Sequence, residues 1–257
     1  MLKGLQDKAV VVTGAARGIG AATCRRLVDE GARVVAADLD TAGAEALAKE
    51  LGERVVPVGA DVSRPGGADA CVEAAVEAFG RLDAFHANAG VEGQAHLVAD
   101  FDIEVYEQVF GVNVRGAFLC AQAAVRRFAV QDSGGGLLFT SSLASQMGSP
   151  STSIYNASKH ALHGLARCLA KEVPPGVRVN TLAPGVVDTR MMRSLEHSMG
   201  AVSGVDAQTF KQGMEAAVPL GRYATAEEIA AAAVWILSDE VPYLHGETIT
   251  VGGGLTP

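Results

Sequence analysis

A tyrosine and a lysine lie four residues apart, at Tyr155 and Lys159, in a segment whose pattern predicts a helix. Side chains at this spacing lie on one face of a helix, so the two can approach each other. A lysine ammonium beside a phenol favours the phenolate and lowers a pKa that is about 10 in water. Such a tyrosine could exchange a proton with an alcohol or a ketone near neutral pH. Ser142, at the end of a predicted strand, could hold the oxygen atom of that substrate.

A glycine-rich turn suggests a nucleotide. Gly14, Gly18 and Gly20 lie between the first predicted strand and the first predicted helix, with Ile19 among them. Glycines there let the chain turn tightly and let backbone N–H groups approach a pyrophosphate at the helix N-terminus. The spacing is GxxxGxG rather than GxGxxG, and such a turn alone is a weak signal. Its position between strand and helix is what predicts a dinucleotide site.

The end of the second predicted strand bears on which dinucleotide binds. Asp38 lies there, and a carboxylate at this place can accept hydrogen bonds from the adenosine ribose hydroxyls and repels a 2′-phosphate. Arg17 in the glycine turn argues the other way, because a cation there could pair with that phosphate. The residue after Asp38 is Leu39 rather than a second cation. The sequence therefore favours NAD over NADP.

Residues after the next two predicted strands complete the candidate cofactor site. Asp61 and Val62 could hold the adenine, and Asn88, Ala89 and Gly90 could line the cofactor floor. Each is an ordinary loop residue by itself. Together they lie at the carboxyl ends of strands, where open α/β sheets bind their ligands.

Short β-branched runs alternate with alanine-rich helical segments along the chain. Predicted strands cover 9–12, 33–36, 54–58, 82–85, 137–139, 177–180 and 247–251, and predicted helices cover about 18–30, 41–51, 66–79, 103–130, 153–172 and 226–237. The alternation predicts an α/β fold: one domain over residues 1–257, with a doubly wound, seven-stranded parallel sheet covered by helices on both faces. The longest irregular stretch, about 189–221, is predicted to be a substrate lid.

Composition narrows the class of protein. A net charge of −8 argues against a nucleic-acid or anionic-membrane surface. No apolar run is long enough to span a bilayer, and the N-terminal segment lacks the apolar core of a signal peptide, so a cytoplasmic location is expected. The four cysteines occur singly in predicted helices and are expected to be buried free thiols. Neither they nor the six histidines have zinc-site spacing, so no metal is expected.

Taken together, these residues resemble the classical short-chain dehydrogenase/reductase family over nearly the whole chain. The motifs are TGxxxGxG at 13–20, NAG at 88–90, Asn113 within Gly-Val-Asn-Val-Arg-Gly, YxxxK at 155–159 with Ser142 thirteen residues before the tyrosine, and PGxxxT at 184–189. Two places depart from the family pattern: Ala87 precedes Asn88 where a second asparagine is common, and Gly252 stands where an aspartate is common. The second departure leaves a local C-terminal contact in doubt, but not the chemistry.

The resemblance implies a Rossmann-type fold, NAD as cofactor and a role for each matching residue. Tyr155 is the general acid/base, and Lys159 lowers its pKa and binds the nicotinamide ribose. Ser142 orients the substrate oxygen, and Asn113 holds a water in a proton relay. Further cofactor contacts are implied at Pro184, Gly185, Val187 and Thr189, the last two beside the carboxamide.

The resemblance also places the substrate pocket between three segments, 92–96, 144–149 and 191–220. Its expected lining comprises Gln94, Ala144, Gln146, Met191, Met192 and Leu195, with Met147, Met199 and Met214 completing an apolar wall and Glu92 a polar contact. His96 is expected to be an exposed loop residue rather than a second base. The expected substrate is a small or medium secondary alcohol or ketone, cyclic compounds included, with an apolar body.

Two other functions remain open at this stage. An NADPH-dependent 3-oxoacyl-carrier-protein reductase would be supported by Arg17 and by a basic patch for an acidic carrier, with Arg126, Arg127 and Arg193 as candidates. A nucleotide-binding sensor without turnover would not need the Ser142, Tyr155 and Lys159 set. Family members commonly pair the helices near 103–130 and 153–172, so a homodimer or homotetramer is expected.

Overall fold

The carboxyl ends of seven parallel strands define where a ligand can bind. The computed structural model describes residues 1–131 and 133–255. Its strands are β1 (Ala9–Thr13), β2 (Arg33–Asp38), β3 (Val55–Gly59), β4 (Ala84–Ala87), β5 (Gly135–Thr140), β6 (Val177–Pro184) and β7 (Thr248–Val251). They form one sheet in the order β3-β2-β1-β4-β5-β6-β7, all neighbours being parallel. The order reverses between β1 and β4, and a crevice opens at such a point.

Helices cover both faces of this sheet. They are α1 (Gly18–Asp29), α2 (Thr41–Leu51), α3 (Gly67–Phe79), α4 (Ile103–Phe110), α5 (Ala117–Ala129), α6 (Ser153–Glu172), α7 (Arg190–Ser203), α8 (Ala207–Ala217) and α9 (Ala226–Leu237). Buried side chains of α3, α5 and α6 form a core on one face of the sheet. Those of α1, α2 and α9 form the core on the other. The predicted fold class, a doubly wound Rossmann-type sheet, is confirmed.

Most predicted elements have somewhat different bounds in the structure, and two of these differences have an identifiable local feature. The fourth strand is Ala84–Ala87 rather than 82–85, because the carboxylate of Asp83 accepts the N–H of Ala9 and pairing with β1 begins one residue later. The helix predicted over 103–130 is interrupted by a π-helical turn at Gly111–Gly116. Such turns are frequent at functional sites.

The prediction of an irregular stretch over 189–221 was wrong, because most of it forms α7 and α8. Each helix begins with a capped N-terminus: Thr189 accepts from the N–H of Met192, and Asp206 accepts from the N–H of Thr209. Gly204, with φ of 71°, ends α7. The capping box predicted at Thr225 is present in α9.

The cysteine prediction holds for three of the four residues. Cys24, Cys71 and Cys120 are buried, and burial raises the pKa of each thiol. Cys168 is exposed on α6, so the expectation for that residue was wrong. Within 1–131 and 133–255, no helix combines the length and the apolar character that crossing a membrane requires.

Arg178 on β6 caps the C-terminal end of α9. Its guanidinium donates to the carbonyl oxygens of Ile236 and Ser238 at 3.0 and 2.9 Å, with longer bonds to Leu237 and Val241. We expect Arg178→Met to lower the free energy of unfolding by about 2 kcal/mol, because buried carbonyl groups lose a charged donor. Urea denaturation measures this, with Arg167→Met on the exposed face of α6 as the control. Equal stabilities of the two variants would contradict it.

Candidate active site

A cleft of about 900 Å³ opens at the carboxyl edge of the sheet. It is lined by the glycine turn after β1, by the loops that follow the other central strands, and by α6 and α7. Among the expected cofactor contacts, its walls include Gly14, Arg17, Gly18, Ile19, Asp38, Leu39, Asp61, Val62, Asn88, Ala89, Gly90, Tyr155, Lys159, Pro184, Gly185, Val187 and Thr189. The fold thus brings together residues that lie up to 175 positions apart in the chain.

Gly20 lies behind the cleft wall rather than in it. A Cβ atom at this position would lie 2.0 Å from the carbonyl oxygen of Gly14, so only glycine lets α1 pack against the turn. Gly14 and Gly18 have φ of 67° and 56°, the left-handed region that glycine adopts without strain. The turn therefore presents backbone, without side chains, at the N-terminus of α1, which fits a pyrophosphate.

Ser142, Tyr155 and Lys159 lie in the wall of the cleft. Ser142 follows β5, and its hydrogen bond with the Tyr155 hydroxyl acts to lower the pKa of that phenol. Lys159 is 3% exposed, and its ammonium lies 5.6 Å from the centroid of the Tyr155 ring. The same ammonium donates to the carbonyl oxygen of Thr140 at 2.9 Å. One helix and one loop thus supply a phenol, a hydroxyl and a cation to a single site.

The pKa of Tyr155 differs from the sequence expectation. Desolvation raises it to about 12 and outweighs the Ser142 hydrogen bond, and the carboxylate of Glu92 raises it further. Burial lowers the pKa of Lys159 to about 8. At neutral pH Tyr155 therefore holds its proton and can donate it. Lys159 is charged in most molecules at the same pH.

Asn113 lies in the π-helical turn and does not line the cleft directly. Its amide nitrogen donates to the carbonyl oxygen of Val91 at 2.9 Å and to Ser158 Oγ at 3.0 Å, and its amide oxygen accepts from the N–H of Val91 at 2.8 Å. Ser158 Oγ in turn donates to the carbonyl oxygen of Tyr155 at 2.7 Å. Asn113 thereby joins the loop after β4 to α6, and its role in holding a water stays a prediction.

A buried polar network supports the cleft floor, and the sequence analysis missed its histidine. His86 is fully buried on β4, and burial lowers its pKa to about 3, so it is neutral. Its Nε2 lies 2.7 Å from Thr140 Oγ1, which donates to Asn88 Oδ1 at 3.0 Å. Asn88 Nδ2 donates to the carbonyl oxygen of Thr13 at 2.9 Å. These bonds fix Asn88 against the glycine turn, and no pattern distinguishes His86 from a core residue of a strand.

The expected substrate residues divide into two groups. Ala144, Met191, Met192 and Leu195 line the cleft, together with Met147, Met199 and Met214. Gln146 does not, because its side chain donates to Thr250 Oγ1 on β7 at 2.8 Å. Gln94 is exposed, with its oxygen 3.2 Å from His96 Nε2, and also lies off the cleft. His96 itself is half-buried rather than exposed.

Several lining residues were not anticipated. Thr152 and Asn156 from the start of α6, and Asp40 from the start of α2, also border the cleft. Glu92, which was expected as a polar contact of the pocket, does not line the cleft, but it is 8% exposed and close enough to Tyr155 to affect its pKa. In the part of the chain that the structure describes, no cluster of three or more histidine, cysteine, aspartate or glutamate side chains is arranged to hold a metal ion.

Several known oxidoreductases are similar to this chain over nearly its whole length. Residues 14–256 match the sequence model of a family described as enoyl-(acyl carrier protein) reductase. The chain is 35% identical to L-rhamnose 1-dehydrogenase (NAD(P)(+)) of Azotobacter vinelandii, over 98% of this chain and 97% of that protein. It is 34% identical to glucose 1-dehydrogenase 2 of Bacillus subtilis, over 100% of this chain and 97% of that protein.

A solved structure agrees with these sequence matches. The crystal structure of 3-ketoacyl-(acyl-carrier-protein) reductase from Brucella melitensis, complexed with NADH, is similar with a TM-score of 0.88 at 29% identity, covering 98% of this chain and 99% of that chain. The chain therefore belongs to the short-chain dehydrogenase/reductase family and is an oxidoreductase of that family. Dehydrogenases of this family use NAD or NADP.

Proposed function

We propose that this chain interconverts a secondary alcohol and a ketone, with NAD in preference to NADP and with Tyr155 as the acid/base. The observation that carries the proposal is the joint placement of Ser142, Tyr155 and Lys159 in the wall of one cleft that also contains the glycine turn. A protein that only bound a nucleotide would have no use for a desolvated phenol and a buried ammonium there.

The proton moves at Tyr155 Oη. During ketone reduction the hydroxyl, protonated at neutral pH, donates to the carbonyl oxygen; during alcohol oxidation the phenolate accepts from the hydroxyl. Ser142 donates to the same substrate oxygen and holds it within reach. Lys159 supplies positive charge beside the phenol, which favours the phenolate in the step that needs it. Bound nicotinamide would supply or accept the hydride.

The preference for NAD rests on charge at the adenosine end of the cleft. Asp38 would face the ribose hydroxyls and would repel a 2′-phosphate, and Leu39 offers no cation. Arg17, the one residue that argued for NADP, forms an ion pair with Asp40. These contacts support NAD. A 2′-phosphate would be repelled by the carboxylates of Asp38 and Asp40, and the guanidinium of Arg17 beside it is already paired with Asp40.

The proposed substrate is a small or medium secondary alcohol or ketone, cyclic compounds included. Its apolar body would contact the methionines and Leu195 that line the outer part of the cleft, where thioether side chains adapt to varied shapes. Relatives named for L-rhamnose and glucose make cyclic polyols part of the panel to test. Glu92 offers a carboxylate near Tyr155 for an additional hydroxyl group.

The alternative as a reductase of carrier-bound 3-oxoacyl groups draws support from the similar Brucella structure. The expected basic patch is incomplete, however. Arg126 and Arg127 lie in the last turn of α5, which leads into the start of β5, whereas the cleft opens at the ends of the strands. Arg193 borders the cleft but pairs with Asp188 at 2.7 Å. The secondary-alcohol reaction is therefore preferred.

We also propose a homodimer or homotetramer through α4, α5 and α6. Tyr106 and Phe118 are 41% and 48% exposed on this side, and they border a shallow groove with Phe110 and Leu165. A second copy of the chain would cover these apolar side chains.

The first test is a spectrophotometric assay at the absorbance band of reduced nicotinamide. Secondary alcohols and aldoses are tested with NAD and with NADP in parallel, and ketones with NADH and NADPH. We expect turnover with NAD and little with NADP. Faster turnover with NADP would refute the NAD proposal and favour the carrier-linked reductase. Binding of either nucleotide without turnover on any substrate would favour the hypothesis of a nucleotide-binding sensor without catalytic activity.

A further inference from the structure

We propose that Asp40 determines cofactor choice by acting as a built-in substitute for a 2′-phosphate. The inference rests on the proposed function, since it presumes that a dinucleotide occupies the cleft. It assigns to Asp40 a role that neither Asp38 nor the glycine turn can perform. Asp40 binds the N–H of Gly43 at the start of α2 and the guanidinium of Arg17, the two donors that would otherwise attract the phosphate.

The position of Asp40 supports this role. Its Oδ1 accepts from the N–H of Gly43 at 3.0 Å and so caps the N-terminus of α2. Its Oδ2 forms an ion pair with the guanidinium of Arg17, at the N-cap of α1. The first turn of α2 and the Arg17 side chain are the two features near the adenosine end that favour an anion. A carboxylate of the protein already binds both.

Asp38 fixes Asp40 in this place. Asp38 Oδ1 accepts from the N–H of Asp40 at 2.9 Å, and Asp38 Oδ2 accepts from the N–H of Ala16 at 2.9 Å. The same carboxylate therefore holds the start of α2 and the glycine turn in which Arg17 lies. The pair between Arg17 and Asp40 follows from this arrangement, and both side chains border the cleft.

The pair has little value for stability. The side chains are 54% and 42% exposed, and ion pairs at such exposed sites contribute little to the free energy of unfolding. Its larger effect is on the potential at the cleft mouth. With Asp40 charged, Asp38 and Asp40 outnumber Arg17; with Asp40 neutral, Arg17 balances Asp38 and its guanidinium is free to donate.

The test is Asp40→Asn, which keeps an oxygen to cap α2 but removes the charge. Asp40→Ser, another capping residue, serves as a second variant. Dissociation constants for NADH and NADPH are measured by nicotinamide fluorescence. We expect NADPH to bind about tenfold more tightly to the Asp40→Asn variant, a gain that falls as salt is added. NADH affinity should change by less than about threefold, because the ribose contacts of Asp38 remain.

Two further variants separate the mechanism from a general charge effect. Glu50→Gln breaks the comparable pair of Arg25 and Glu50, whose side chains are 44% and 50% exposed on α1 and α2 outside the cleft. It should leave both affinities unchanged. In an Arg17→Gln background, Asp40→Asn should lose most of its gain for NADPH, because the freed guanidinium is absent.

Each contrary outcome is distinguishable. A wild-type protein that binds neither dinucleotide overturns the proposed function together with this inference. A wild-type protein that prefers NADPH overturns the NAD preference and the masking of Arg17. If NADH binds but Asp40→Asn and Asp40→Ser leave the NADPH to NADH ratio unchanged, the inference alone fails. It fails equally if the gain persists undiminished without Arg17.

Discussion

Replacing Tyr155 with phenylalanine should reduce turnover by about a hundredfold to ten-thousandfold, the contribution typical of general acid–base catalysis. The substitution removes one oxygen atom from the cleft wall and leaves the ring packed beside Lys159. NADH affinity should change little, because the glycine turn and Asp38 are untouched. Steady-state kinetics and nicotinamide fluorescence measure the two quantities on the same preparation.

Tyr243→Phe is the matched control for this loss. Tyr243 is fully exposed and is not among the residues that line the cleft, so removing its hydroxyl should leave turnover as in the wild type. A Tyr155→Phe variant that kept more than about a tenth of wild-type turnover would exclude Tyr155 as the acid/base, since even modest proton-transfer catalysis exceeds that factor. Loss of NADH binding would instead indicate that the phenol has a structural role.

The second large effect is expected at Lys159, where activity and stability should change in opposite directions. Burial lowers its pKa from 10.5 to about 8. The charged ammonium loses hydration in the folded protein, and this desolvation lowers the free energy of unfolding. Below pH 8 both the folded and the unfolded chain carry the proton, and the cost is about 3 kcal/mol at 1.36 kcal/mol per pKa unit. Lys159→Met removes this cost and forfeits the bond to Thr140, so we expect a net gain of about 2 kcal/mol and a loss of turnover.

The pH dependence identifies the source of that gain. Between pH 8 and 10.5 the unfolded wild type holds a proton that the folded wild type releases, so wild-type stability rises with pH relative to the variant. The advantage of Lys159→Met should therefore shrink as pH rises across this window. Urea denaturation at pH 7 and near pH 9.5 tests it, with Lys49→Met on the exposed face of α2 as control. A stability difference independent of pH would show that the ammonium is not its cause.

The sheet and the glycine turn could be predicted because each depends on local pattern. Runs such as Val10-Val11-Val12 are typical of a strand buried on both faces, and the glycines after β1 need no distant partner to be recognised. The two helices at 190–217 were missed, because the methionine, serine and glycine residues of α7 favoured an irregular segment, although both helices are amphipathic. Their start signals, Thr189 and Asp206, were in the sequence and were not used.

The spacing of the motifs predicted Ser142, Tyr155 and Lys159 as catalytic residues, but the pKa values of Tyr155 and Lys159 depend on the fold. Nothing in the spacing of Tyr155 and Lys159 indicates that desolvation raises the pKa of the phenol and lowers that of the ammonium. The contacts of Gln146 with Thr250 and of Arg17 with Asp40 join residues 104 and 23 positions apart. Both contacts join segments that belong to or follow different strands of the sheet, and only the assembled sheet brings those segments together.

The hairpin of α7 and α8 has a consequence for how substrate range can change among relatives. The two helices pack chiefly on each other, and Glu196 and Gly200 are the buried residues among them. Tyr155 and Lys159 lie on α6 and Ser142 follows β5, and the hairpin leaves both of these elements intact. Residues 190–217 can therefore be replaced as one segment. Such a replacement would change the residues that contact the substrate and leave Ser142, Tyr155 and Lys159 in place, so new specificities can evolve without loss of proton transfer.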